Sequence, residues 1–264
     1  MSKKFVFLLA TGISLCVGVF AIKAHLNREA PKPSKASLLR LLSKYSSSEL
    51  ESLYKEAKRA KAYLHLLENK GSSLDQELKE PGQLKRSYAH CPSGNDVYDE
   101  ACGLLYYFHC HRPKEEGHFH IFTVDPECSD SMRISLPQAE ESFAHIIAIS
   151  IDSKRHPVKL FCPNAWVTGE GMIAHEALMP YVKAFQFQDD QRSWITSAAL
   201  TALIHAFSPQ IEMLLKQRDA RFVKLQKSLN IDAETLANGD VCEILSEVPI
   251  DLDLQIEVIK RLLF

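Results

Sequence analysis

The amino-acid order predicts an α+β domain. It reads as a central antiparallel β-meander of about four strands, flanked by N- and C-terminal helices and preceded by an N-terminal membrane helix. Three observations carry this expectation. Apolar residues recur at helical spacing up to about residue 90 and again beyond residue 166. Between those stretches lie short aromatic-rich runs separated by turn-forming links, and short links between successive strands favour an antiparallel meander. Residues 5–22 carry no charge at all. The 264-residue chain is 46% hydrophobic and 24% charged, which excludes a disordered or collagen-like polymer. Its formal net charge of -2 argues against a nucleic-acid partner, because phosphate binding needs a basic surface.

Taken in order, the first element is the apolar leader. Eighteen residues, 5–22, follow Lys3 and Lys4. As a helix they would extend about 27 Å, close to a hydrocarbon core of about 30 Å. The run is longer than an ordinary signal-peptide core, although Val19-Phe20-Ala21 offers a weak cleavage site. The expectation is a signal anchor in the inner membrane, with a linker to residue 35 marked by Pro31 and Pro33. Basic residues after the span (Lys23, Arg28, Lys32, Lys35 and Arg40) would hold the domain in the cytoplasm under the positive-inside rule. The short basic tail before an apolar core instead looks like an export signal, and the periplasmic side is the reading adopted. Seven cysteines, six of them outside the leader, permit disulfides without requiring them, and no CxxC pair suggests a zinc knuckle.

Residues 36–264 read as one domain with three parts: a helical lead-in (36–90), a sheet (91–165) and a helical remainder (166–264). Ser48-Glu49-Leu50-Glu51 is the expected capping box of a long helix that Gly71 terminates. Strands are expected at 104–112, 118–124, 143–152 and 158–162. Helices are expected at 176–187, at 193–207, from an N-cap and N1 proline at Ser208-Pro209 to about residue 228, and at 251–264. Residues 231–264 hold eight acids and two bases, whereas 32–86 hold twelve bases and seven acids. The acidic tail is therefore expected to pack back on the domain, since it is too apolar to remain solvated.

The chemistry concentrates in one hairpin. His109, His111, His118 and His120 alternate along two strands, so each pair shares a face. A four-residue loop at 113–116 would set His111 opposite His118 and His109 opposite His120, four imidazoles in one square. Both faces of this hairpin are otherwise apolar, Leu105, Tyr107 and Phe122 lying beside the histidines and Tyr106, Phe108, Cys110, Phe119 and Ile121 behind them. Four protonated rings so close would repel, so the site needs neutral histidines, carboxylates, an anion or a metal. Imidazole suits zinc and iron. His145 on the next strand can add a fifth ring. Asp96, Asp99, Glu116 and Glu170 are the acids that can complete a shell or act as base, and Glu170 has the alternative role of capping a helix. A hydrogen-bonded network without an ion, and metal-free acid–base catalysis, are the competing readings.

Weaker motifs fall away. Gly169-Glu170-Gly171-Met172-Ile173-Ala174 fits a dinucleotide fingerprint but lacks a parallel βαβ setting, and His175-Glu176 fails as a zinc-protease helix because Met179 holds the second histidine position. Three segments together resemble an uncharacterised bacterial family described only as a domain of unknown function. They are the 90–99 stretch HCPSGNDVYD, the pair YYFHCHR and GHFHIF, and LFCPNAWVTGE followed by PQIEMLLKQRD. The family pattern has Asn-Arg-Trp where this chain has Asn164-Ala165-Trp166. That resemblance implies a domain boundary and a site location, with no activity to transfer. Two functions remain. One is a membrane-anchored metal-dependent hydrolase or oxygenase, with His109, His111, His118 and His120 as ligands and Glu170 or Asp99 as base. The alternative is a non-catalytic module that binds a metal or small polar ligand, or a scaffold whose histidines are structural.

Overall fold

The computed structural model describes residues 33–78, 87–92, 96–110, 117–124, 126–127, 129–135, 143–188 and 194–264. The expected anchor at 5–22 lies outside them. Among the described residues no single helix is long and apolar enough to cross a membrane.

The expected α+β class holds, but the sheet has seven strands rather than about four. The four-strand meander is there: β3 (Leu104–Cys110), β4 (Gly117–Val124), β5 (Phe143–Ile151) and β6 (Pro157–Pro163) pair in sequence, all antiparallel. Two short strands, β1 (Ser87–Cys91) and β2 (Val97–Asp99), lie along the outer edge of β3. On the far side β7 (Ile244–Pro249) pairs with β6, so the stretch after residue 166 is not wholly helical.

Seven helices surround the sheet among the described residues: α1 (Lys35–Leu42), α2 (Ser47–Asn69), α3 (His175–Ala184), α4 (Trp194–Ala206), α5 (Ser208–Leu229), α6 (Ala233–Asn238) and α7 (Leu252–Leu263). The capping box of α2 uses Ser46 and not Ser48: the Ser46 N–H donates to Glu49 Oε2 at 2.8 Å, and Ser46 Oγ accepts from the Glu49 N–H at 3.4 Å. Ser46 and Ser48 each have a glutamate three residues on, but the helix already begins at Ser47, which makes Ser46 the cap. Gly71 follows at φ +69°, which ends the helix as expected. At the start of α5 the N-cap is Phe207, with Pro209 in the first turn.

Strand parity sorts the sheet into two faces. Tyr106, Phe108, Phe119, Ile121, Ile147, Ile149 and Leu160 bury one face against α2 and α4, joined by Ala57, Ala60, Leu200 and Leu203. This is the main core, and nearly every side of α4 is buried in it. A smaller core of Phe222, Leu225, Leu236 and Leu245 closes α5 and α6 over the β7 end. The acidic tail docks: Val258 and Ile259 of α7 pack on Leu42, Leu50 and Leu53, while Asp253 and Glu257 pair with Lys61 and Lys35 at the surface. Among the described residues Cys102, Cys162 and Cys242 form no disulfide.

A candidate metal centre on the second sheet face

The second face carries the histidines. Residue pairs across β3 and β4 run from Leu104–Thr123 to His109–His118, so His109 faces His118 and Tyr107 faces His120. The expected pairs, His111–His118 and His109–His120, are displaced by two residues. An even displacement leaves every side chain on its original face. His109, His118 and His120 therefore do share a face, and Phe108, Phe119 and Ile121 lie on the other. His111 lies outside the described residues, as does Glu116.

Gly117 makes this hairpin possible. It sits at φ +151°, and a Cβ there would lie 2.2 Å from Phe108 Cζ and 2.6 Å from the His109 carbonyl oxygen. Only glycine lets β4 start this close to β3, with His118 one residue later.

His145 arrives by a different device. From Gly117–Ile151 to Ile121–Ile147 the β4–β5 register is regular, and continuing it would put His145 on the core face beside the isoleucines. At Ile121/Phe122 the register shifts, and Phe122 then faces His145. This β-bulge turns His145 onto the histidine face, where Nε2 stands 2.9 Å from His120 Nδ1.

Three rings converge. The His109–His118, His118–His120 and His109–His120 centroids are 4.4, 4.8 and 5.0 Å apart, and the ring planes cross at 79°, 80° and 79°. Nitrogens from all three lie within 4.8 Å of one another, a buried group that could hold a metal ion. With metal–nitrogen bonds of about 2.05 Å, a ligating ring has its centroid about 3.2 Å from the ion. Right-angled ligands then place centroids about 4.5 Å apart and tetrahedral ones about 5.2 Å apart; the 4.8 and 5.0 Å spacings fall between, and the 4.4 Å spacing of His109 and His118 lies just below. His109 Nε2 and His118 Nε2 are 2.7 Å apart, a direct hydrogen bond between a protonated and an unprotonated nitrogen. Two ligands on a tetrahedral ion would stand about 3.3 Å apart, so an ion would separate this pair by about 0.6 Å.

Glu170 is delivered by the NAWVTGE segment. Asn164 Nδ2 donates to the Leu236 carbonyl at 2.8 Å and Trp166 Nε1 to the Cys242 carbonyl at 3.0 Å, which fixes the chain leaving β6. Gly169 then turns at φ +71°, and the Gly171 N–H donates to the Phe143 carbonyl at 3.3 Å. Glu170 is thus held beside the start of β5. It caps no helix, because the N-cap of α3 is Ala174, with no side-chain cap. Its side chain is buried, and Oε2 has no hydrogen-bond partner among the described residues. Burial pushes its pKa up to about 8; Arg218 and the His145 N–H pull the other way. Burial, reinforced by Arg218 and His118, holds His145 well below the usual imidazole range, so that ring is neutral. The Tyr107 hydroxyl is raised by burial first, then by Asp96 and Glu170.

Asp99 is not brought to the histidines. It pairs with Leu104 at the other end of β3, on the core face, and its carboxylate accepts the Cys102 and Gln188 N–H groups at 3.2 and 2.7 Å. Two contributors were missed in the sequence. His90 stacks on Tyr107 with centroids 3.6 Å apart, meets His109 edge-on at 5.9 Å, and binds Asp96 Oδ1 through Nδ1 at 2.7 Å. The His90/Asp96 spacing within HCPSGND was its one visible signal. Arg218 is buried; it donates to the Ile173 carbonyl and to Asp219, and nothing in its helical neighbourhood marks it out.

Neither a curated protein nor a solved structure matches the chain. A family model does, over residues 54–250, which runs from within α2 through β7 and contains every residue of the histidine face described above. The chain therefore belongs to the domain-of-unknown-function family DUF6969.

Proposed function

We propose that this domain binds one divalent transition-metal ion, zinc or iron, through His109, His118 and His120. The observation that carries the reading is the convergence of three mutually perpendicular, buried imidazoles whose nitrogens lie within 4.8 Å of one another, close to the spacing of ligands on one ion. Buried histidines cannot each stay protonated here, and a bound cation satisfies the inward nitrogens at once. Three protein ligands leave a coordination position for water or substrate, the arrangement of catalytic rather than structural sites. With Glu170 as proton acceptor, the chemistry is metal-dependent hydrolysis or oxygenation. Glu170 suits that role because burial keeps its pKa near neutrality, where a base is most effective. The leader at 5–22 would tether this activity to the inner membrane, the domain facing the periplasm.

One observation favours a non-catalytic alternative. The 2.7 Å bond between His109 and His118 pairs Nε2 of both rings without an ion. Elemental analysis of purified protein separates the readings. The metal reading expects about one equivalent of zinc or iron per chain, lost in the His118→Ala/His120→Ala double variant. A folded protein that retains no metal, and takes up none on dialysis against zinc or ferrous salts, leaves the hydrogen-bonded scaffold.

A further inference from the structure

We infer that His145 is a positioning residue that fixes which nitrogen of His120 faces the metal; this rests on the metal reading above. The two rings meet Nδ1 to Nε2 at 2.9 Å, centroids 5.1 Å apart and planes at 64°. A hydrogen bond this short needs one proton between the two nitrogens, and a neutral imidazole carries one proton in all. Two arrangements satisfy it. If His145 donates from Nε2, His120 accepts at Nδ1 and must carry its own proton on Nε2, which cannot then bind a metal. If His120 donates from Nδ1, its Nε2 keeps a lone pair for the ion, and His145 carries its proton on Nδ1.

The chain around His145 favours the second arrangement. Metal-binding histidines generally give their other N–H to a fixed acceptor, which orients the ring and sets its tautomer. His145 is such an acceptor. Its place is set by the β-bulge at Ile121/Phe122, without which its side chain would join Ile147 and Ile149 in the core. Glu170 and Gly171 hold the same stretch of β5 from outside, through the His145 N–H and the Phe143 carbonyl. The bulge costs the sheet a regular ladder position, and what it gains is one imidazole aimed at another. Bulges beside functional sites commonly re-aim a side chain in this way.

Two substitutions in the full-length protein separate the roles. His145→Gln places an amide oxygen near the position of Nε2 and keeps an acceptor for His120. His145→Phe keeps the ring shape and removes the acceptor. Zinc affinity, measured by competition with a chromophoric chelator, should fall about 10- to 100-fold in His145→Phe. The glutamine variant should stay within about threefold of the parent. Equal affinities in parent and phenylalanine variant, or equal losses in both variants, would overturn the inference. Long-range 1H–15N NMR of the unsubstituted protein gives a reading that needs no variant: His120 should carry its proton on Nδ1. A proton on Nε2 in the zinc-loaded protein refutes the assignment. If the parent takes up no zinc, the metal reading fails by itself, and the tautomer in the metal-free protein still decides which ring donates.

Discussion

Glu170 should make the metal-free protein less stable as pH rises, against the usual behaviour of a folded carboxylate. In the folded chain its pKa is about 8, raised from 4.5 mainly by burial. Below pH 4.5 both folded and unfolded chains carry the proton, and the group is neutral in the balance. Between 4.5 and 8 the folded chain keeps a proton that the unfolded chain has released, so folding takes up a proton and loses stability with rising pH. Each unit costs about 1.4 kcal/mol, so the window of 3.5 units amounts to about 5 kcal/mol. Above pH 8 both states are ionised and the loss is complete. Glu170→Gln removes the titration while retaining an oxygen for the His145 N–H. Urea unfolding of chelator-treated parent and variant, at half-unit steps from pH 4.5 to 9, isolates the term, because the other titrating groups cancel in the difference. The variant should gain on the parent steadily across the window, reaching several kcal/mol at pH 8. A difference that stays flat, or one that favours the parent at high pH, would show that Arg218 and the His145 N–H offset the burial of Glu170 in full.

Three further outcomes are expected. Phe119→Ala deletes a fully buried ring from the core face and should cost about 3–5 kcal/mol in urea unfolding, while the folded fraction keeps its metal stoichiometry. Gly117→Ala forces a methyl against Phe108 and the His109 carbonyl at a φ that side chains avoid, so it should cost about 2–5 kcal/mol and also weaken metal binding; a variant as stable as the parent in the same assay would contradict the close approach. Protein expressed from the full chain should stay with membranes after carbonate extraction if residues 5–22 form an anchor, and unprocessed protein in the soluble fraction would exclude it.

The central meander was legible because its strands are long, aromatic-rich and joined by turn chemistry. Side-chain parity in the histidine hairpin was legible too, since alternation holds in any even-length loop; the register was not, and it moved by two residues. The edge strands β1 and β2 were invisible. Three residues, VYD, cannot display a period of two, and pairing to β3 defines them. β7 hid for another reason. ILSEVP carries an acid and a proline inside an acidic tail, and its partner β6 lies some eighty residues earlier, so only tertiary pairing makes it a strand. Strict alternation places His145 with Ile147, Ile149 and Ile151, and the bulge that reverses this leaves no mark in composition. Asp99 and Glu170 were equal candidates on chemistry alone. Edge pairing sends one to the core face and a glycine turn brings the other to β5.

This sheet divides stability and chemistry between its faces, and the division has consequences for how the two can change. Residues that face α2 and α4, such as Phe108, Phe119 and Ile149, hold the fold from the face opposite the histidines, so substitutions there act on the folded population. His109 and His118 bond to each other, and removing either takes that hydrogen bond from the other's buried ring, at about 1–3 kcal/mol. That is less than the loss of a core aromatic, so the fold should survive changes that abolish the site. Three positions cross the divide. Gly117 sets strand spacing and starts the strand that bears His118. The bulge at Ile121/Phe122 spends two core isoleucines, Ile146 and Ile147, opposite one partner to turn His145 outward. Glu170 is a buried acid whose desolvation opposes folding above pH 4.5, at a point pinned by backbone bonds to β5. A fold selected for stability alone would have an apolar side chain at Glu170 and an unbroken ladder at His145. Both departures meet at His145, whose N–H bonds Glu170 and whose ring bonds His120, and the function proposed for that cluster would account for them together.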